Sequence, residues 1–326
     1  MLDTNQFYLK MVCYMSPGNE LYLNDRYINL IKSFFKKEGR QIKNFELVSR
    51  LCWKNIVIKV ELDNSEILSV KFILNSCSPR RRLISERYFG YLVLYAPNMI
   101  RVVNCAQVVM CEEDFLYAMV IRNWIEGISY MDFLKTDFNL FKTDCLPTII
   151  EVCNKLWGTE NTIAEHLNCT SIIERHGFSV EDVFGIYKSN PLLQQTLYEK
   201  YCLHYPHNEK RCLINSDFSL HEFIFDENNQ LNIIDWEDTC IGNPIIDIAG
   251  IFYSIFHQIA SVLDYESVLA FSRYYLMAFK LENLDDFIFY FIERFVMADY
   301  LTKSDDERLL TTAILLIEDL EKTFGR

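Results

Sequence analysis

Apolar residues recur at every second position through much of the first third of the chain, and at every third or fourth position through most of its second half. A period of two marks strands with one face buried, and a period near 3.6 marks helices packed along one side. The first ordered pattern is helical: LYLNDRYINLIKSFFK, at about 22–37, ends at Gly39. FELVSRL, NIVIKVEL and EILSVKFIL then predict three strands, with LDNSE as the turn joining the last two. Pro79 predicts the start of a helix over about 80–94 that carries Arg80, Arg81, Arg82, Glu86 and Arg87. MIRVVNCAQVVM and FLYAMVIRNWI resume the strand pattern. Residues 44–123 therefore read as a small antiparallel sheet with one inserted helix.

After IEGISY the spacing turns helical, from TDCLPTIIEVCNKLWGTENTIAEHL through SVEDVFGIY and NPLLQQTLYEKYCL, and again from NPIIDIAGIFYSIFHQIASVL to DERLLTTAILLIEDLEKTF. Between these blocks lies LINSDFSLHEFIFDENNQLNIIDWEDTCIGNPIIDIAG, residues 213–250. Short apolar runs and the turn-forming DENNQ predict a hairpin there. Asp217, Glu222 and Asp235 sit at the ends of these buried runs, and carboxylates so placed must be solvated, paired with cations or holding metal.

Composition narrows the setting. At 326 residues the chain is long for one compact domain, and with half its residues hydrophobic and 24% charged it is not a disordered chain. A formal charge of −13 argues against a general nucleic-acid binder and favours cationic or neutral partners. Eleven cysteines without a single CxxC pair give no zinc spacing and suit a reducing compartment. The N-terminus lacks a basic start followed by an apolar stretch, and no run approaches about 18 uninterrupted apolar residues. The expectation is a cytoplasmic protein that engages no membrane.

The order of strand with Lys71, helix with Glu86, connecting strand, Asp217 and Asp235 follows the parts of a phosphoryl-transfer site. Residues 213–250 resemble the aminoglycoside phosphotransferase and choline kinase-like family of small-molecule kinases. Its catalytic loop reads roughly HxDxxxxN and is followed by a hairpin, a second Asp and G-D-P-x-x-D. The corresponding segments are NSDFSLHE and IIDWEDTCIGNPIID. The DFS of the loop looks most like the 2″-aminoglycoside phosphotransferase branch.

The resemblance implies an α+β, protein-kinase-like, two-lobed fold, with a small antiparallel-sheet N-lobe over 1–123 and a larger, mostly helical C-lobe over 124–326. It implies Mg²⁺, ATP or GTP as phosphoryl donor, and a small hydroxylated acceptor, with an aminoglycoside polycation among the candidates. Asp217 takes the place of the carboxylate that aims the acceptor hydroxyl and accepts its proton. Asp235 takes the place of a metal ligand. Glu222 stands where the family usually has Asn, and is the second ligand unless the loop shifts by one residue and presents His221. Lys71 would reach the α and β phosphates, braced by Glu86; Lys59 is the competing lysine. Met119 to Ile121 would offer backbone groups to the purine edge, and Asp247 would start or brace a helix behind the site.

Three departures leave a rival open. Asn215 replaces the loop histidine, Glu222 replaces the asparagine, and SRLCWKN contains no glycine to cover phosphates. A catalytically weak pseudokinase that binds nucleotide or serves as a scaffold would carry the same changes. A protein kinase is disfavoured, because no APE-like segment or long activation loop follows Asp235.

Overall fold

The computed structural model describes residues 25–48, 55–74, 101–102, 105–110, 117–158, 171–175, 178–187, 189–206, 211–228, 230–236, 238–304 and 306–324. They form two compact units, one drawn from 1–83 and 104–124, the other from 84–103 and 125–326. The helix expected over 80–94, with Glu86, and the turn at 49–54 lie outside the described residues.

The first unit opens with α1 (Asp25–Lys37) and continues through β1 (Ile42–Leu47), β2 (Asn55–Leu62) and β3 (Ile67–Leu74). Beyond β4 (Arg101–Val102), which belongs to the second unit, come β5 (Cys105–Met110) and β6 (Tyr117–Asn123). The five strands of this unit pair antiparallel in the order β1-β2-β3-β6-β5. Tyr27, Ile31 and Phe35 recur at four-residue spacing on α1. They bury one stripe against Ile58, Val60, Leu62, Leu68, Val70, Phe72, Met119 and Ile121. The β2–β3 turn falls on LDNSE as expected, with Ser65 in the left-handed region at φ 66 and Asn64 Oδ1 accepting from the Glu66 amide.

The stretch 99–110 reads as one strand but is divided. Arg101–Val102 pairs in parallel with β10 (Leu231–Ile233) of the second unit, whereas Cys105–Met110 joins β6 in the first. Arg101–Val102 is too short to carry a period of its own, so the choice of partner is what separates the two pieces.

The second unit holds β7 (Gly127–Ser129), α2 (Tyr130–Thr136), α3 (Leu146–Trp157), α4 (Pro191–Leu203), β8 (Cys212–Ile214), β9 (Phe223–Asp226), β10 and β11 (Cys240–Gly242). After them come α5 (Ile245–Val262), α6 (Tyr265–Ala278), α7 (Leu284–Thr302) and α8 (Glu307–Phe324). The expected hairpin is β9–β10, in register Phe223↔Ile233, Ile224↔Asn232 and Phe225↔Leu231. Strand order β4-β10-β9-β7 makes a small sheet around it, and β8 pairs with β11 separately. Sequence spacing shows neither β7 nor β11, because three residues are too few to establish a period.

Helices α5 and α7 carry the centre of this unit, where Phe252, Phe256, Phe287, Phe291 and Phe295 are buried and pack ring against ring. By length and composition α5 could cross a membrane, yet 72% of it is buried inside the unit, as in a core helix.

Candidate active site

The loop between β8 and β9 carries Asn215, Ser216 and Asp217, and the segment between β10 and β11 carries Asp235 and Asp238. Pairing of β8 with β11 (Ile214↔Cys240) and of β9 with β10 puts the two segments side by side. Hydrogen bonds then lock them. Asn215 Nδ2 donates to the Asp235 carbonyl at 3.1 Å, and Asn215 Oδ1 accepts from the Asp217 amide at 3.0 Å. Ser216 Oγ donates to the Asp238 carbonyl at 2.6 Å. Two turning points, Ser216 (φ 64) and Asp235 (φ 66), lie in the left-handed region. Such residues cost about 1–3 kcal/mol each and persist where their surroundings over-determine them.

Asp247 supplies much of that determination. Its carboxylate is fully buried and accepts three N–H donors: Ser216 N at 2.7 Å on Oδ1, with Asn215 N at 3.2 Å and Trp157 Nε1 at 3.1 Å on Oδ2. Pro244, not Asp247, stands at the N-terminus of α5. The expectation that Asp247 starts or braces a helix therefore becomes more particular: it ties the loop under Asp217 to α3 and α5. Burial pushes its pKa up from 3.8 to about 6, against the pull of these donors and of Arg294.

Glu222 ends a short 3₁₀ turn, Leu220–Glu222, pinned by the Leu220 amide donating to Ser254 Oγ at 3.2 Å. Its Oε1 accepts from Ser219 Oγ at 3.1 Å, while its Oε2 is buried without a hydrogen-bond partner. Burial, then the charges of Asp235 and Asp217, push the Glu222 carboxyl well above its ordinary range. His221, the alternative in a shifted register, instead feels Lys135 and Asp132 of α2, and burial lowers its pKa. The structure thus brings Asp217, Glu222 and Asp235 together and turns His221 to a different neighbourhood.

A carboxylate with an orphaned buried oxygen, near enough to two more acids for their charges to act on it, is an environment that a hard divalent cation stabilises. Among the described residues no group of three or more His, Cys, Asp or Glu side chains is gathered tightly enough to hold a metal ion alone. Mg²⁺ ordinarily takes one or two carboxylates and completes its shell with water and phosphate oxygens, so this donor set fits it.

In the first unit, Lys71 lies on β3 opposite Val57 and Val120 and is 6% exposed. Strand alternation puts it on the face away from α1, since Val70 and Phe72 face α1. Lys59 is half-buried on that same face, 4.7 Å over the Trp124 ring. Met119 and Ile121 lie on β6, which has a strand on each side, so the ladder takes up their backbone groups and the structure brings them to no open edge. The first residues past β6 are Trp124 to Glu126.

Sequence reasoning did not single out Arg294, whose guanidinium donates to Asp217 Oδ1 and to the Ser216 carbonyl oxygen. The available signal was a cation inside the strongly apolar run FIFYFIERFVMA of α7.

Comparison with known proteins bears on the segment and on the fold that carries it. Residues 188–279, which include the whole loop–hairpin–loop segment, match the sequence profile of APH, the phosphotransferase enzyme family. Aminoglycoside phosphotransferase APH(4)-Ia shares the fold with a TM-score of 0.58 at 12% identity, covering 92% of this chain and 100% of that one. Amicoumacin kinase hAmiN, solved with AMP-PNP, Ca²⁺ and Ami, gives 0.58 at 13%, covering 91% and 96%. APH(2")-IIia, solved with GDP and kanamycin, gives 0.52 at 16%, covering 92% and 99%. The fold class is therefore that of the protein-kinase-like aminoglycoside phosphotransferases: an antiparallel sheet in the N-terminal region and a mostly helical C-terminal part. The resemblance drawn from residues 213–250 holds in both the sequence profile and the fold, and together they support a phosphotransferase.

Proposed function

We propose that this protein is a Mg²⁺-dependent kinase of small molecules, moving the γ-phosphate of ATP or GTP to an acceptor hydroxyl. The observation that carries the reading is Glu222, a buried carboxylate with an unpartnered oxygen that feels the charges of Asp235 and Asp217. Glu222 and Asp235 would hold Mg²⁺, which when bound neutralises charge on the phosphates of the donor. Asp217 would orient the acceptor hydroxyl and receive its proton, a contribution of about 10²–10⁴-fold in such roles. Lys71 would meet the α and β phosphates, with Glu86 holding it extended. The purine edge would meet backbone beyond β6, near Trp124 to Glu126, in place of Met119 and Ile121. Cytoplasmic nucleotide pools suit such an enzyme.

The acceptor is a small alcohol, with aminoglycosides foremost, because the neighbours of shared fold include kinases of such compounds and an acidic chain attracts polycations. The pseudokinase alternative loses one support. Asn215 makes both hydrogen bonds that tie Asp217 to Asp235, so the missing histidine leaves no gap in the loop. The test is nucleotide consumption with Mg²⁺ over a panel of aminoglycosides, amino alcohols and sugars. Acceptor-dependent release of ADP or GDP supports the kinase. Nucleotide binding without turnover on any acceptor would favour the pseudokinase.

A further inference from the structure

We propose that Arg294 is the resident counter-cation of the carboxylate cluster and the residue that positions Asp217 for phosphoryl transfer, an inference that rests on the kinase reading above. Arg294 lies on α7, 77 residues beyond Asp217. One guanidinium grips two consecutive loop residues, Nη1 on Asp217 Oδ1 and Nη2 on the Ser216 carbonyl oxygen. The carboxylate and the peptide that carries it are thereby fixed together, which a planar fork achieves and a single ammonium does not. Arg294 is 11% exposed and Asp217 35%, so salt screens this pair less than a surface pair.

The fold makes room for the clamp. Gly250 on α5 faces it: a Cβ there would lie 3.2 Å from Arg294 Nε, 3.3 Å from Nη2 and 3.1 Å from the Phe218 carbonyl oxygen. Arg294 Nε is itself buried without a hydrogen-bond partner. The arginine is thus not placed to satisfy all its own donors, and what it meets is negative charge. It pairs with Asp217 and also draws down the pKa of Asp247. With one positive charge already on Asp217, the cluster that would meet the metal and its phosphates is less negative by one.

The experiment titrates the full-length protein with Mn²⁺, followed by electron paramagnetic resonance, with and without AMP-PNP. Arg294→Met, Arg294→Lys and a control on α8, Arg308→Met, are compared. Losing the internal cation should tighten Mn²⁺ binding about tenfold in Arg294→Met, the scale of one added charge near a partly screened site. Arg308→Met should leave it unchanged. Arg294→Lys keeps the charge but not the fork. It should hold Mn²⁺ affinity near the natural value while lowering kcat about 10²-fold, as misplaced catalytic groups do, with nucleotide KM little changed. Unaltered or weaker Mn²⁺ binding in a folded Arg294→Met overturns the counter-cation role. If that variant does not fold, Arg294→Lys decides, and natural turnover in it overturns the positioning role. A tightened Mn²⁺ site in a protein that phosphorylates nothing would uphold the counter-cation and sink the kinase reading instead.

Discussion

Asp247→Asn separates what a buried charge does for stability from what it does for the loop. The carboxylate is fully buried, and burial lifts its pKa from 3.8 to about 6. A carboxyl raised in the folded state binds its proton more tightly there than in the unfolded chain. Stability is therefore fullest at pH values below the unfolded pKa and falls as pH rises from about 4 to about 6. The rise corresponds to about 3 kcal/mol, present as a burden at pH 7 and absent at pH 4. Asparagine removes that burden. It also turns one acceptor oxygen into an NH₂, which in the less costly orientation faces Ser216 N and leaves the other oxygen to Asn215 N and Trp157 Nε1. One buried donor then goes unmet, costing about 1–3 kcal/mol. At pH 4 only that cost remains, so the variant should melt lower than the natural protein. At pH 7 the two effects offset, leaving the variant equal or up to about 2 kcal/mol more stable, with Tm shifts of about 2 °C per kcal/mol. Turnover should still fall by about 10-fold or more, because the peptide carrying Asp217 loses an anchor. Differential scanning fluorimetry at both pH values, beside a kinetic assay at pH 7, reads all three quantities. A Tm deficit of equal size at pH 4 and pH 7 would refute the reasoning, since it would mean that the natural carboxylate bears no charge cost.

Other perturbations bear on the remaining residues. Asp217→Asn should lower turnover by about 10²–10⁴-fold with nucleotide affinity little changed, as measured by steady-state kinetics and calorimetry; unchanged turnover would remove Asp217 from the chemistry. Glu222 is raised well above 4.5, so the metal-free protein should lose stability as pH rises above that value, and Mg²⁺ with nucleotide should restore it. Glu222→Gln should flatten this dependence in thermal melts, and a variant keeping the full slope would locate it elsewhere. Lys71→Ala should weaken nucleotide binding in a fluorescence titration while Lys59→Ala, whose ammonium lies over the Trp124 ring, should not; the reverse ranking would show that the strand assignment is at fault.

Much of this was legible in residue order alone. Period-two runs place Lys71 on a strand, and the spacing of Asp217, the hairpin and Asp235 defines a loop–hairpin–loop unit, because local backbone chemistry sets both. The division of 99–110 between two sheets was not legible. Strand partners are chosen by long-range packing, and a two-residue pairing such as Arg101–Val102 leaves no pattern in the sequence. For the same reason Met119 to Ile121 read as a connection with backbone groups to offer a purine edge, though β3 and β5 flank that strand on both sides.

The choice between His221 and Glu222 shows the same limit within a single turn. Adjacent residues on a 3₁₀ turn point in different directions, and the turn's anchoring, to Ser254 and through Ser219, bears on which one meets the charge of Asp235. Arg294 lies furthest from sequence reasoning. Nothing local ties a cation on α7 to a loop 77 residues earlier; the packing of α7 against α5 does, through the space left at Gly250. The sequence by itself determined which groups could do the chemistry, since side-chain identity and short-range spacing are written in it. The tertiary structure decided which of them meet and which charges they balance, because those depend on helices that come together only when the core is buried.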